Sequence, residues 1–66
     1  MTIGERISKR LDELNLTQRE LAATVGVTDI TISRYIHDER MPNAVVVAGI
    51  AKALDVTTDY LLGLEE

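Results

Sequence analysis

The chain has 66 residues, 45% apolar but only 3% aromatic, with no cysteine and a formal net charge of −4. A chain this short buries only about 60% of the surface it exposes when unfolded, so one domain over residues 1–66 with an aliphatic core is expected. The missing cysteines remove disulfide and thiolate-metal chemistry; MTIGERISKR lacks a signal-like apolar core, and the longest apolar run, Ala44–Ala51, is too short to span a bilayer. A soluble, cytoplasmic protein follows as the expectation.

The charge is unevenly spread. Arg6, Lys9, Arg10 and Arg19 cancel Glu5, Asp12, Glu13 and Glu20, and Arg34, Arg40 and Lys52 cancel Asp29, Asp38 and Glu39. The excess sits in Asp55, Asp59, Glu65 and Glu66. The acidity belongs to the C-terminal end, and the rest of the surface is open to an anionic partner.

In chain order, Ile3, Ile7, Leu11 and Leu14 form a first helical stripe. TQRE (Thr17–Glu20) is a capping box that starts a second helix. That helix turns Leu21, Ala22 and Val25 inward and stops at Gly26. The next stretch, VTDITISRYI, is rich in β-branched residues and alternates like a strand. No other segment offers it a strand partner, and a lone strand is not stable. Read as a helix capped by Thr28, it places Ile32, Tyr35 and Ile36 inward and Ile30, Ser33, Arg34 and His37 outward. Helix 1 is expected to close on its end through Leu11 and Ile36. Asn43 then caps a helix whose inner face is Ala44, Val47, Ile50, Ala51 and Leu54. A second apolar arc on that helix holds Val45, Val46, Gly49 and Ala53. Thr57 or Thr58 starts a last short helix through Tyr60, Leu61 and Leu62, ended by Gly63. The chain reads as all-α.

Two short helices joined by Val25–Val27, with small Ala22 at their crossing, make a helix-turn-helix. Leu16–Gly63 resembles the Cro/repressor-type, or xenobiotic-response-element-type, DNA-binding domain of phage repressors. The likeness is carried by Thr17-Gln18, Leu21-Ala22, Gly26, Ile32, Pro42, IAKAL (Ile50–Leu54) and the closing DYLLG. It implies a compact, lambda-repressor-like five-helix bundle whose third helix, about residues 28–37, lies in the major groove. Carried over, Gln18 matches a phosphate- and base-contacting position, and Asp29, Ile30, Ser33 and Arg34 match positions facing base edges. His37 and Arg40 match a phosphate-contacting turn. Thr17, Arg19 and Thr28 complete the candidate DNA-facing set. The chain departs from the family in having YIHDER where an IEnG-like turn is common, and Asp29 and Ile30 where amides often read bases.

The residue chemistry agrees. The Arg34 guanidinium can donate twice to guanine O6 and N7, and Ile30 can pack on a thymine methyl. Asp29 favours the helix N-terminus by its charge, with cytosine N4 as a lesser option. Free amides near Thr17, Gln18 and Arg19 make a phosphate site. Arg10 is a further phosphate candidate. His37 lacks a partner at metal-ligand spacing. No cofactor, metal or small-molecule ligand is called for. With neither a phosphate loop nor a nucleophile–base pair, an enzyme is set aside.

The leading reading is sequence-specific double-stranded DNA binding by a bacterial or phage transcriptional regulator, a repressor acting by occupancy of its operator. The alternative is a protein-interaction module on the same fold. A weak homodimer is expected, reading two half-sites. The resemblance puts its contact around Val56, Tyr60, Leu61 and Leu64, with the outer arc of helix 4 second.

Overall fold

A threonine or an asparagine starts each of five helices in the computed structural model, which describes residues 1–65 and so leaves Glu66 of the acidic end outside. The helices are α1 (Ile3–Leu14), α2 (Gln18–Val25), α3 (Asp29–Ile36), α4 (Ala44–Ala53) and α5 (Thr58–Leu62). Thr2, Thr17, Thr28, Asn43 and Thr57 each accept from an amide three residues on. Caps of this kind contribute about 1 kcal/mol each. The stops are equally local: Asn15, Gly26 and Gly63 take left-handed geometry with φ of 56°, 85° and 78°.

The helices share one aliphatic core made by Ile7, Leu11, Leu21, Ala22, Ile32, Tyr35, Val47, Ile50, Ala51, Leu54 and Leu61. α2 packs on α3 and α4, α1 packs on α3 and α5, and α4 packs on α5. The strand-like stretch is α3: Ile32 and Tyr35 are buried and Ile36 is half-buried. Ala44 departs from expectation and is exposed. It follows the cap directly, ahead of Val47, the first residue of α4 to be buried.

α1 approaches α3 most tightly at Gly4, a residue the helical stripe does not mark. A Cβ there would lie 2.6 Å from the Tyr35 carbonyl oxygen and closer still to that of Ile36. The positive end of α1 therefore sits on the carbonyl end of α3, a favourable head-to-tail arrangement of helix dipoles.

Gly49 has a different reason for its approach. A Cβ there would lie 3.6 Å from Val25 Cγ1, an ordinary contact. The backbone near Gly49 is thus met by α2 of the same chain, and Val46 and Ala53 pack against the core. Of the second apolar arc, Val45 alone stands fully outside, 81% exposed. At the C-terminal end Leu61 is buried, so the apolar side chains left open there are Leu62 and Leu64.

The two glycines should respond oppositely to alanine. Gly4→Ala should destabilise by about 1–3 kcal/mol through overpacking against the α3 carbonyls. Gly49→Ala should stabilise by up to about 1 kcal/mol, the helix-propensity gain. Urea unfolding of the two variants beside the wild type checks both signs.

Glu5 closes the capping box of α1 by accepting from the Thr2 amide at 2.8 Å. That backbone bond first, and the Thr2 hydroxyl second, pull its carboxyl below the ordinary glutamate value. A lowered folded value means the carboxylate stabilises the fold above the unfolded value, and that contribution disappears as pH falls through the folded one. The melting-temperature gap between wild type and Glu5→Gln should be open at neutral pH and close in strong acid.

Candidate nucleic-acid interface

The outer face of α3 stands clear of the core because its inner face is fixed by Ile32 and Tyr35. Asp29, Ile30, Arg34 and His37 are exposed and Ser33 is half-buried. Ile30 is 64% exposed in the middle of this face, an aliphatic side chain with no core to fill. Arg34 and Arg40 make no side-chain hydrogen bond or ion pair among the described residues, so their guanidinium donors are available.

The start of α2 lies beside the start of α3. Thr17, Gln18 and Arg19 are all exposed, and Arg19 Nε lies 4.0 Å from Asp29 Oδ2 across the turn. Both side chains are solvated, at 86% and 51% exposure, so this pair contributes little to stability. It does bring together the two helix starts that the sequence proposes to face DNA. The Thr17 hydroxyl accepts from the Glu20 amide at 3.0 Å, and the Glu20 carboxylate accepts from the Thr17 amide at 3.0 Å.

The remaining candidates have local partners that define their chemistry. Thr28 accepts from the Thr31 amide at 3.1 Å and pairs with the Thr31 hydroxyl at 2.9 Å. Asp29 Oδ1 accepts from the Ile30 amide at 3.1 Å, so this carboxylate serves the start of α3 as well as facing Arg19. His37 Nδ1 lies 2.8 Å from the Ser33 carbonyl oxygen. A carbonyl only accepts, so Nδ1 carries a hydrogen and the neutral ring leaves Nε2 as an acceptor. A phosphate contact through Nε2 therefore needs the doubly protonated ring.

Two residues do work that sequence reasoning missed. Arg10, a phosphate candidate, instead donates through Nε to the Leu54 carbonyl at 2.7 Å and lies 3.5 Å from Glu13. It satisfies the carbonyl end of α4 and ties α1 to it. Asp38, in the turn after α3, accepts from the Thr2 hydroxyl at 2.6 Å and the Gly4 amide at 3.1 Å. The left-handed φ of 58° at Asp38 aims its carboxylate back at α1. Neither link has a periodic signal, because each joins residues more than thirty positions apart.

Among the described residues no group of His, Asp or Glu is arranged to hold a metal ion, and no helix is long and apolar enough to cross a membrane. The arrangement is an exposed face: one short helix with an apolar centre, a free guanidinium, and a neighbouring helix start that presents backbone amides.

Comparison with known proteins agrees with this architecture. A helix-turn-helix family model matches residues 7–61. The repressor protein C2 of Salmonella phage P22 is 38% identical over 60 residues, which cover 91% of this chain and 28% of that protein. The HTH-type transcriptional regulator ImmR of Bacillus subtilis is 30% identical over 66 residues, covering 100% of this chain and 52% of ImmR. The chain thus spans 28% to 52% of the length of these two curated relatives. The crystal structure of the P22 c2 repressor in complex with a synthetic operator superposes with a TM-score of 0.93 at 35% identity, covering 98% of each chain. The solution structure of the P22 c2 DNA-binding domain gives 0.89 at 36% identity, covering 92% of this chain and 80% of that one. By the match over residues 7–61, the chain belongs to the helix-turn-helix family.

Proposed function

We propose that this protein is a sequence-specific double-stranded DNA-binding regulator that represses transcription by occupying its operator, with residues 1–66 acting as one DNA-binding domain in the cytoplasm. The observation that carries the reading is the outer face of α3, where exposed Ile30 and unpaired Arg34 stand beside the start of α2. The superposition on a repressor in complex with its operator supports placing that face toward DNA. An α-helix with its side chains is about 10–12 Å across, a fit to a major groove about 12 Å wide.

The roles divide by chemistry. Arg34 and Ile30 read base edges, Arg34 at a guanine and Ile30 at a thymine methyl. Gln18, Arg40 and the first amides of α2 hold phosphates, with His37 beside them in the turn after α3. Thr17 and Thr28 keep the two helix starts formed, and Arg19 balances the Asp29 carboxylate as it nears the backbone. Ser33 lies between the base-reading and phosphate-holding positions. The protein works by binding, not by turnover. Two copies sit on two half-sites about one helical turn apart, meeting through the exposed Leu62 and Leu64 at the C-terminal end.

Selection of bound sequences from a random duplex pool tests this function. The expected product is a near-palindromic site with a guanine and a thymine in each half. Recovery of no preferred sequence would leave only the reading as a protein-interaction module. Arg34→Ala should weaken binding to the selected site by about 1–3 kcal/mol and erase the guanine preference when the selection is repeated. Replacing Gln18 or Arg40 should weaken all duplexes alike and reduce the salt dependence.

Ile30 is tested without altering the protein. Replacing the contacted thymine by uracil removes one methyl group and should weaken the wild type by about 0.8 kcal/mol. Ile30→Ala should respond to that replacement far less. Equal binding of thymine and uracil sites by the wild type would remove Ile30 from base reading.

A further inference from the structure

We propose that Asp38 is a positioning residue that sets the angle of α3 on DNA without touching DNA itself; this rests on the DNA-reading function proposed above. The turn after α3, residues 37–40, is fully exposed yet carries His37 and Arg40. Its own backbone bonds run back to α3, from the Asp38 amide to Tyr35 at 3.1 Å and from the Glu39 amide to Arg34 at 2.9 Å. His37 also bonds within α3, to Ser33. Among the described residues, the only side-chain hydrogen bonds from this turn to another element are those of Asp38 to Thr2 and Gly4.

Those two bonds act at the place where α1 and α3 already meet most closely. The absent side chain at Gly4 lets the first turn of α1 rest on the Tyr35 and Ile36 carbonyls, and Asp38 accepts from the Gly4 amide of the same turn. The C-terminal half of α3 is thereby fixed to the start of α1 at backbone and side chain together. Its N-terminal half has only the solvated Arg19–Asp29 pair in addition to core packing. Arg34 lies in the last turn of α3, next to the anchored end. A tilt of α3 about its buried face would move that guanidinium relative to a guanine edge, and bidentate recognition tolerates little displacement.

The backbone at Asp38 is left-handed, with φ of 58°. Glycine adopts this geometry without cost and an ordinary residue does not, whereas aspartate is among the few that tolerate it. An acidic side chain beside a phosphate-facing turn also opposes DNA unless its charge is otherwise engaged. The first turn of α1 engages it, through a hydroxyl, an amide and the positive end of the helix.

Three substitutions separate position from charge: Asp38→Gly keeps the turn geometry and removes the carboxylate, Asp38→Glu keeps the charge and displaces it, and Asp38→Asn keeps an acceptor for the Gly4 amide. Each is titrated against the selected duplex and a scrambled one, at a temperature where circular dichroism shows full folding. Asp38→Gly and Asp38→Glu should each lower the ratio of specific to scrambled affinity by about tenfold, the size of one lost base contact. Asp38→Asn should recover most of that ratio. Scrambled affinity should not fall in any of the three. Asp38→Glu matching the wild type overturns the proposal, and this arm decides if the glycine variant does not fold. Equal losses on both duplexes overturn it too, since Asp38 would then act as a plain phosphate-side or stability residue. A wild type that prefers no duplex removes the DNA-reading function and this role with it, an outcome visible before any variant is examined.

Discussion

The arrangement depends on an eight-residue helix that could not exist alone. Isolated helices shorter than about 12 residues are marginal even when made of alanine, and α3 is built from Asp, Ile, Thr, Ser, Arg and Tyr. It is held from three sides. Thr28 caps its start, Ile32 and Tyr35 sink its inner face into the core, and the first turn of α1 covers its carbonyl end at Gly4. Local propensity is overruled by burial, which is why residues that favour a strand in isolation serve here as a helix. β-branched side chains also bring few rotamers, so Ile30 presents a stiff surface where it emerges.

Fixing the inner face leaves the outer face free of structural duty, and the chemistry follows from what remains. Asp29 serves the start of α3 and faces Arg19, and Asp38 is held by the start of α1. These two carboxylates near the outer face of α3 thereby each have a partner within the fold. The net charge of −4 is misleading for the same reason, because Asp55, Asp59 and Glu65 lie in the segments around α5 and not in α2 or α3.

The sequence made the local features plain and left the long-range ones hidden. The Thr17 capping box, the Thr28 and Asn43 caps, and the Gly26 and Gly63 stops are short-range chemistry, legible within four residues. The apolar stripes of α1 and α4 were legible too, apart from Ala44 at a helix end where periodicity stops constraining direction. Gly4 shows the limit. It looks like an unfavourable residue in a helix, and its role appears only once the α3 carbonyls are placed against it. Gly49 is equally a helix-interior glycine, yet it has room for a methyl. The Arg10–Leu54 link was hidden similarly: a cation flanking an apolar stripe carries no mark distinguishing a solvated donor from one bound to a carbonyl.

Placing Arg10 changes the electrostatic balance of the proposed complex. The chain has seven Lys and Arg residues. Arg10 is bound to Leu54, Arg6 to the Met1 carbonyl, and Arg19 lies beside Asp29. Lys9 and Lys52 lie on α1 and α4, outside the helix-turn-helix, which leaves Arg34 and Arg40 as the free cations of the reading half. Each neutralised phosphate contributes a slope of about −0.9 in the salt dependence of binding. Two side chains and a few amides in one copy therefore supply weak, shallow electrostatic attachment. In the proposed complex, tight operator binding would rest on well-matched base contacts and on doubling the face on a second half-site. A sparse cation supply also weakens attachment to random DNA. In that proposal, the same economy that makes a single copy a poor binder helps a paired one discriminate.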